Sequence, residues 1–227
     1  MVNTYPGRLI EPDTTGNNGK HYISNMKLKL FFLLIFIISS IASFIGCKEV
    51  FTWFLECIPA FLGVLILILT YHKFRFSNFT YAVILIHCLI LIIGGHYTYA
   101  EVPLFDWIKE TFHQSRNNYD KVGHFIQGFG PALIIREIFV RKQVVNGKKW
   151  LSFIVISIAL AISAFYELIE WFVSVNSGES GDAFLGTQGY IWDTQSDMLT
   201  AFIGALAAIF FFGKIQDNSI EKLHQTN

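Results

Sequence analysis

Six apolar runs, at 28–45, 51–70, 79–97, 122–140, 151–173 and 198–212, decide what this chain can fold into. A helix needs roughly 20 apolar residues to cross the hydrocarbon core of a bilayer. Within that core only helices and closed barrels satisfy every backbone group. The runs therefore predict an all-α polytopic membrane protein with about six transmembrane helices. Two runs carry the weakest signal: the fourth contains Gln127, Arg136 and Glu137, and the sixth is short by a few residues. Composition agrees, since 15% of the residues are charged and the mean hydropathy is +0.46, against about a quarter charged in soluble domains. Residues 1–26 read as a polar cytoplasmic N-terminus without an apolar signal-peptide core, 27–213 as the membrane domain and 214–227 as a cytoplasmic tail.

Several functions are excluded or disfavoured. The formal net charge is zero, so no basic surplus exists to neutralise the phosphates of a nucleic acid. Cys47, Cys57 and Cys88 lie in or beside apolar runs with no CxxC spacing, which suits small buried residues better than a disulfide or thiolate site. GxSxG and HExxH are absent, and the glycines of 181–189 have no phosphate-loop spacing. A site in this chain has to be assembled from separate helices.

The lysines and arginines set an orientation. With the N-terminus inside, thirteen of them fall in inner segments and four, Lys48, Lys109, Arg116 and Lys121, in outer ones. Both termini are then cytoplasmic. On this topology the polar residues near the helix ends gather at the outer face, where the long connections 98–121 and 174–196 also lie.

Three pairs of polar residues stand out. Asp120 and His124 are four apart, with Gln127 a turn further; Glu167 and Glu170 are three apart; Asp193 and Asp197 are four apart. Each pair shares one helix face. An ionisable side chain costs about 2.5–3.5 kcal/mol at mid-membrane, so six of them persist only by meeting one another or a ligand. Carboxylates clustered at low dielectric need a proton, a cation or a bound group between them. Three solutions follow: a divalent cation on hard oxygens with His124 nitrogen, an acid/base site, or a polar network closed by Lys121 and Arg116 that glues helices together. His96, after Gly94 and Gly95, is a further candidate from the third helix. Tyr97, Tyr99, Trp107 and Trp192 suit an aromatic belt at the headgroups. Arg136 and Glu137 read as a snorkelling or interhelical pair, and Ala201, Gly204 and Ala205 as a surface for close helix packing.

At these residues the chain resembles the YjdF-like family of uncharacterised bacterial inner-membrane proteins. The matching stretches are 94–103 (from Gly94 through Tyr99 to Pro103), 116–125 (with Arg116, Asp120, Lys121 and His124), 166–171 (Tyr166 to Trp171), and 185–189 with 192–198 (Trp192 to Met198). A looser similarity runs to VanZ-like membrane proteins, some of them linked to glycopeptide resistance. It is carried by Asp120, Lys121, His124, Phe125, Glu167 and Asp197, and it breaks at Ala201, where an Asn is expected. The resemblance implies an inner-membrane location and an envelope role.

The expected function is a polar site at the outer face that acts on, or binds, a lipid-linked or cell-envelope ligand from the bilayer. His124, Glu167 and Glu170 are the candidate catalytic residues. Asp120, Asp193, Asp197 and His96 are the candidate binding residues, and a divalent cation is the candidate cofactor. A small-solute or ion transporter, with the carboxylates as coupling groups, and a non-catalytic scaffold are the alternatives.

Overall fold

The computed structural model describes residues 17–177 and 188–224, and every regular element among them is helical. In chain order these are α1 (Asn17–Phe44), α2 (Val50–Thr70), α3 (Asn78–His96), α4 (Pro103–Thr111), α5 (Tyr119–Lys142), α6 (Lys148–Ser177) and α7 (Asp193–Ala207). A π-helical turn, Ala208–Phe212, joins α7 to α8 (Gly213–His224). Of the polar N-terminal stretch, residues 1–16 lie outside the described residues, as does most of 181–189.

Among the described residues, five stretches are long and apolar enough to cross a membrane: Ser24–Phe44, Val50–Thr70, Asn78–His96, Lys148–Asn176 and Asp193–Leu223. The chain is thus an all-α polytopic membrane protein. The remaining expected span, the fourth apolar run, is α5, whose 24 residues give about 36 Å of helix but are too polar to qualify by composition. Its place in the bundle explains why. It packs on α3, α6 and α7, so Gln127, Arg136 and Glu137 are buried among helices. The lipid-facing role falls to α1, α2 and α6, which expose Leu34, Ile38, Leu62, Ile66, Phe165 and Phe172.

The last span is longer than the sequence suggests. The apolar run ends near residue 212, yet helix continues through the π turn into α8, and the expected tail packs against the bundle through Ile220 and Leu223. Gln216, fully buried, donates to the Leu133 carbonyl at 2.7 Å and to Thr80 Oγ1 at 3.0 Å. Gln216 and Asp217 add to the polar signal here while bonding to partner helices, and Lys214 and Asn218 stay exposed.

Successive long helices alternate in direction. One end of the bundle therefore collects the starts of α2, α5 and α7 with the ends of α1, α3 and α6. Connections tie this end together. The Lys48 amide donates to the His96 carbonyl at 3.0 Å, and the Lys48 ammonium pairs with Glu101 at 2.7 Å, a bond that holds it above its usual range. The short α4 is held by Asn117, whose Nδ2 donates to the Val102 carbonyl at 3.1 Å and to Asp106 at 3.0 Å.

Trp107 and Trp192 are exposed, as a headgroup belt requires, but Tyr99 is buried. Thr98 and Tyr99 both have φ of 54°, a left-handed conformation that costs L residues energy. This turn folds the Tyr99 ring back into the bundle. A Cβ on Gly94 would overlap the ring, and one on Gly123 would come within 2.7 Å of it. Both glycines are thereby explained, and Tyr99 is an internal plug rather than a belt residue.

At the opposite end Arg136 and Glu137 do not pair with each other. Glu137 is fully buried and accepts from Ser77 N at 2.7 Å, Ser77 Oγ at 2.8 Å, Thr80 Oγ1 at 2.6 Å and Arg141 at 3.0 Å. Arg136 binds Gln216 at 2.8 Å and Asp217 at 2.8 Å. Each joins α5 to a different neighbour, and the four bonds at Glu137 compensate a carboxylate that burial would otherwise make costly.

Candidate functional site

Close approach of α5 and α7 builds the site. A Cβ on Gly128 would overlap the Ala201 carbonyl, and one on Gly204 would overlap the Phe125 carbonyl. With glycine on each helix facing backbone on the other, the two axes come near enough for Asp120, His124 and Gln127 on α5 to meet Asp193 and Asp197 on α7. The end of α6 supplies Tyr166, Glu167 and Glu170. The first turns of α2 supply Glu56, buried in an otherwise apolar helix.

His124 is the centre, with its side chain 6% exposed. Its Nε2 lies 3.2 Å from Asp120 Oδ1 and 3.8 Å from Asp197 Oδ1, and its Nδ1 lies 3.6 Å from Glu167 Oε1 and 3.2 Å from Gln127 Oε1. A neutral imidazole has one N–H. Nε2 faces the carboxylate of Asp120 and Nδ1 the amide of Gln127, so a second proton or a cation would be held between His124 and the acids around it.

Asp193 plays a different part. As a first-turn carboxylate of α7 it has the look of a cap, but it makes no capping hydrogen bond. It takes the guanidinium of Arg116, and the ammonium of Lys121 at 2.8 Å. Arg116 also reaches Asp120 at 3.2 Å, and Lys121 also reaches Asp197. Arg116 thus bridges Asp193 and Asp120, and Lys121 bridges Asp193 and Asp197. Neither Glu167, Glu170 nor Glu56 receives a share. Among the described residues, Glu167 Oε1 is buried without a hydrogen bond, and Glu170 is buried beside it.

A cavity of about 200 Å³ opens beside this group, between α2, α3, α5 and α6. Its polar walls are Glu56, Asp120, His124, Gln127, Tyr166 and Glu170; His87, Tyr99 and apolar Leu91 and Ile162 complete it. The Tyr166 hydroxyl donates to Glu56 at 3.3 Å, whereas the Tyr99 hydroxyl has no hydrogen-bond partner among the described residues. Pro59 and Pro131 also line it; lacking N–H, they leave the carbonyls of Leu55 and Gln127 without their helical donors. Among the described residues, two sets of ligand atoms lie within 4.8 Å of one another, Asp120 with His124 and Asp197, and His124 with Glu167 and Glu170.

The structure thus brings together six of the seven residues expected at the site: Asp120, His124, Glu167, Glu170, Asp193 and Asp197. His96 stays apart. Its Nδ1 lies 2.6 Å from the Ser43 carbonyl, where it ties α3 to α1. Sequence reasoning missed Glu56, although a lone carboxylate inside a span is a signal in its own right. It also missed the rim, where Asn117 and Gln188 bond reciprocally at 3.0 and 2.9 Å and fasten the loop before α7 to the start of α5.

Comparison with known proteins agrees with this architecture. The family described as "Predicted membrane protein (DUF2238)" matches residues 28–218. The inner membrane protein YjdF of Escherichia coli (strain K12) is 44% identical over 178 residues, covering 78% of this chain and 85% of its own length. No solved structure matches. These findings show the YjdF-like resemblance and do not show the VanZ-like one.

Proposed function

We propose, for a chain that belongs to the DUF2238 family of predicted membrane proteins, that the buried cluster binds a divalent cation and presents it to the polar group of a lipid-linked or envelope ligand. What supports the reading is a charge imbalance. Six carboxyl groups (Glu56, Asp120, Glu167, Glu170, Asp193 and Asp197) face two permanent cations, Arg116 and Lys121, and one imidazole. Such a surplus in a low dielectric calls for further positive charge. Hard oxygens with one imidazole suit a first-row or alkaline-earth divalent ion. Asp120, Asp197 and His124 are the ligands on one side, and Glu167 and Glu170 complete the set or move protons for the bound group. The apolar stretch of the cavity wall, Leu91 and Ile162, accommodates the hydrocarbon next to a lipid headgroup.

The protein purified in mild detergent is expected to carry one divalent ion per chain by elemental analysis. Losing an outer partner of a metal ligand already weakens affinity about 10–100-fold, so His124→Ala should weaken binding by at least that factor, read by equilibrium dialysis against the ion. Metal-free protein with an intact fold ends the proposal, and solute uptake into vesicles by the wild type moves the chain to the transporter class.

The charge asymmetry of the connections supports a site at the outer face with both termini cytoplasmic. In a chain without Cys47, Cys57 and Cys88, cysteine at exposed Ser115, beside the site, should react with an impermeant thiol reagent from outside. Cysteine at exposed Asn146, between α5 and α6, should not. The opposite labelling pattern turns the protein over.

A further inference from the structure

A larger cavity, about 330 Å³, lies at the other end of the bundle between α1, α2 and α3. It exists because α1 and α2 each pack chiefly on α3, which leaves a slot between them. Leu33, Phe36, Leu67, Ile84, Leu85 and Cys88 make its walls apolar. The mouth is cationic and aromatic. Lys29 Nζ lies 5.0 Å from the Tyr81 ring centre and 5.5 Å from that of Tyr71, and the Arg75 guanidinium lies 5.3 Å from the Tyr71 ring.

Lys29 makes no ion pair among the described residues. The nearby acid, Glu137, is already occupied by Ser77, Thr80 and Arg141. An apolar slot capped by a lysine that has aromatic neighbours but no ion-pair partner among the described residues fits a ligand with a hydrocarbon chain and a negative head. A free anion leaves the slot without an occupant, and a zwitterionic lipid brings a positive group to a positive mouth.

We infer that this slot holds one acyl chain of an anionic phospholipid, with its phosphate against Lys29. The lipid completes the α1–α2 contact that the side chains leave open. It lies at the end of the bundle opposite the acidic cluster, so its binding is independent of any ion held there.

The test uses delipidated full-length protein and its thermal unfolding midpoint, titrated with phosphatidylglycerol, phosphatidylcholine or inorganic phosphate. Phosphatidylglycerol should raise the midpoint saturably, phosphatidylcholine much less and phosphate not at all. One lysine near a membrane surface is worth about fivefold in affinity for an anionic lipid. Lys29→Gln should therefore weaken phosphatidylglycerol by about that factor, and exposed Lys73→Gln should not. Leu85→Trp, which fills the slot, should abolish the saturable effect. Equal stabilisation of the wild type by both lipids overturns the inference even if neither variant folds. Stabilisation by phosphate alone overturns it in favour of a simple anion site, and undiminished lipid binding by Lys29→Gln or Leu85→Trp overturns the placement.

Discussion

Gly128→Val is expected to lower stability by about 3 kcal/mol and to strip the acidic cluster of any ion it holds. The missing Cβ is what lets α5 touch the backbone of α7, and the atom it would meet is the Ala201 carbonyl oxygen. A flexible side chain could swing aside, but a carbonyl inside a helix cannot. The two helices must therefore separate, which puts the substitution at the upper end of the 1–3 kcal/mol range for overpacking. Separation also pulls Asp193 and Asp197 away from Lys121 and His124, so both readouts should fall together. Gly63→Val is the control, since nothing lies within 4 Å of a Cβ there. The measurements are the unfolding midpoint in detergent and the bound divalent metal. If Gly128→Val matches Gly63→Val in both, close α5–α7 packing is not what holds the site.

The same contrast between lipid-facing and helix-facing positions explains what was legible in the sequence. Hydropathy reports contact with lipid, so α1, α2, α3 and α6 were plain. It is blind to a helix surrounded by other helices, which is why α5 looked weak although it is the most central. It also ended the last span at residue 212, because Lys214, Gln216 and Asp217 are polar; Gln216 and Asp217 bond to other helices. Helical spacing placed Asp120 beside His124, Glu167 beside Glu170 and Asp193 near Asp197. Their convergence depends on Gly128 and Gly204, whose role is invisible until the facing backbone is known. Glu56 was lost inside an apolar run, and Tyr99 was misread because its inward direction is set by a strained turn rather than by hydrophobicity. His96 failed for the converse reason: its neighbours in sequence resemble a site, but its ring faces the Ser43 carbonyl.

The two aspartates of α7 should respond in opposite ways to the same chemical change. Asp193 takes both Arg116 and Lys121, and its side chain is 6% exposed. Asp193→Asn removes the negative charge between buried Arg116 and half-buried Lys121, and breaking a buried pair costs about 3–5 kcal/mol. Arg116 keeps Asp120 and Lys121 keeps Asp197, which places the loss near 3 kcal/mol. Asp197 is buried as deeply, at 4% side-chain exposure, but Lys121 does not depend on it, because Asp193 remains 2.8 Å away. Asp197→Asn also removes one of several carboxylates crowded around His124, so stability should stay within about 0.5 kcal/mol or rise, as when functional charge is removed from a strained site. An amide oxygen is a weaker ligand than a carboxylate, and the ion held with Asp120 and His124 should be lost. Unfolding in detergent and metal content, measured on both variants, separate the roles. Asp193→Asn should unfold early, and Asp197→Asn should unfold normally but empty. An Asp197→Asn protein that keeps its ion would show that this carboxylate only joins helices, and the ligand set would then fall back on Glu167, Glu170 and His124.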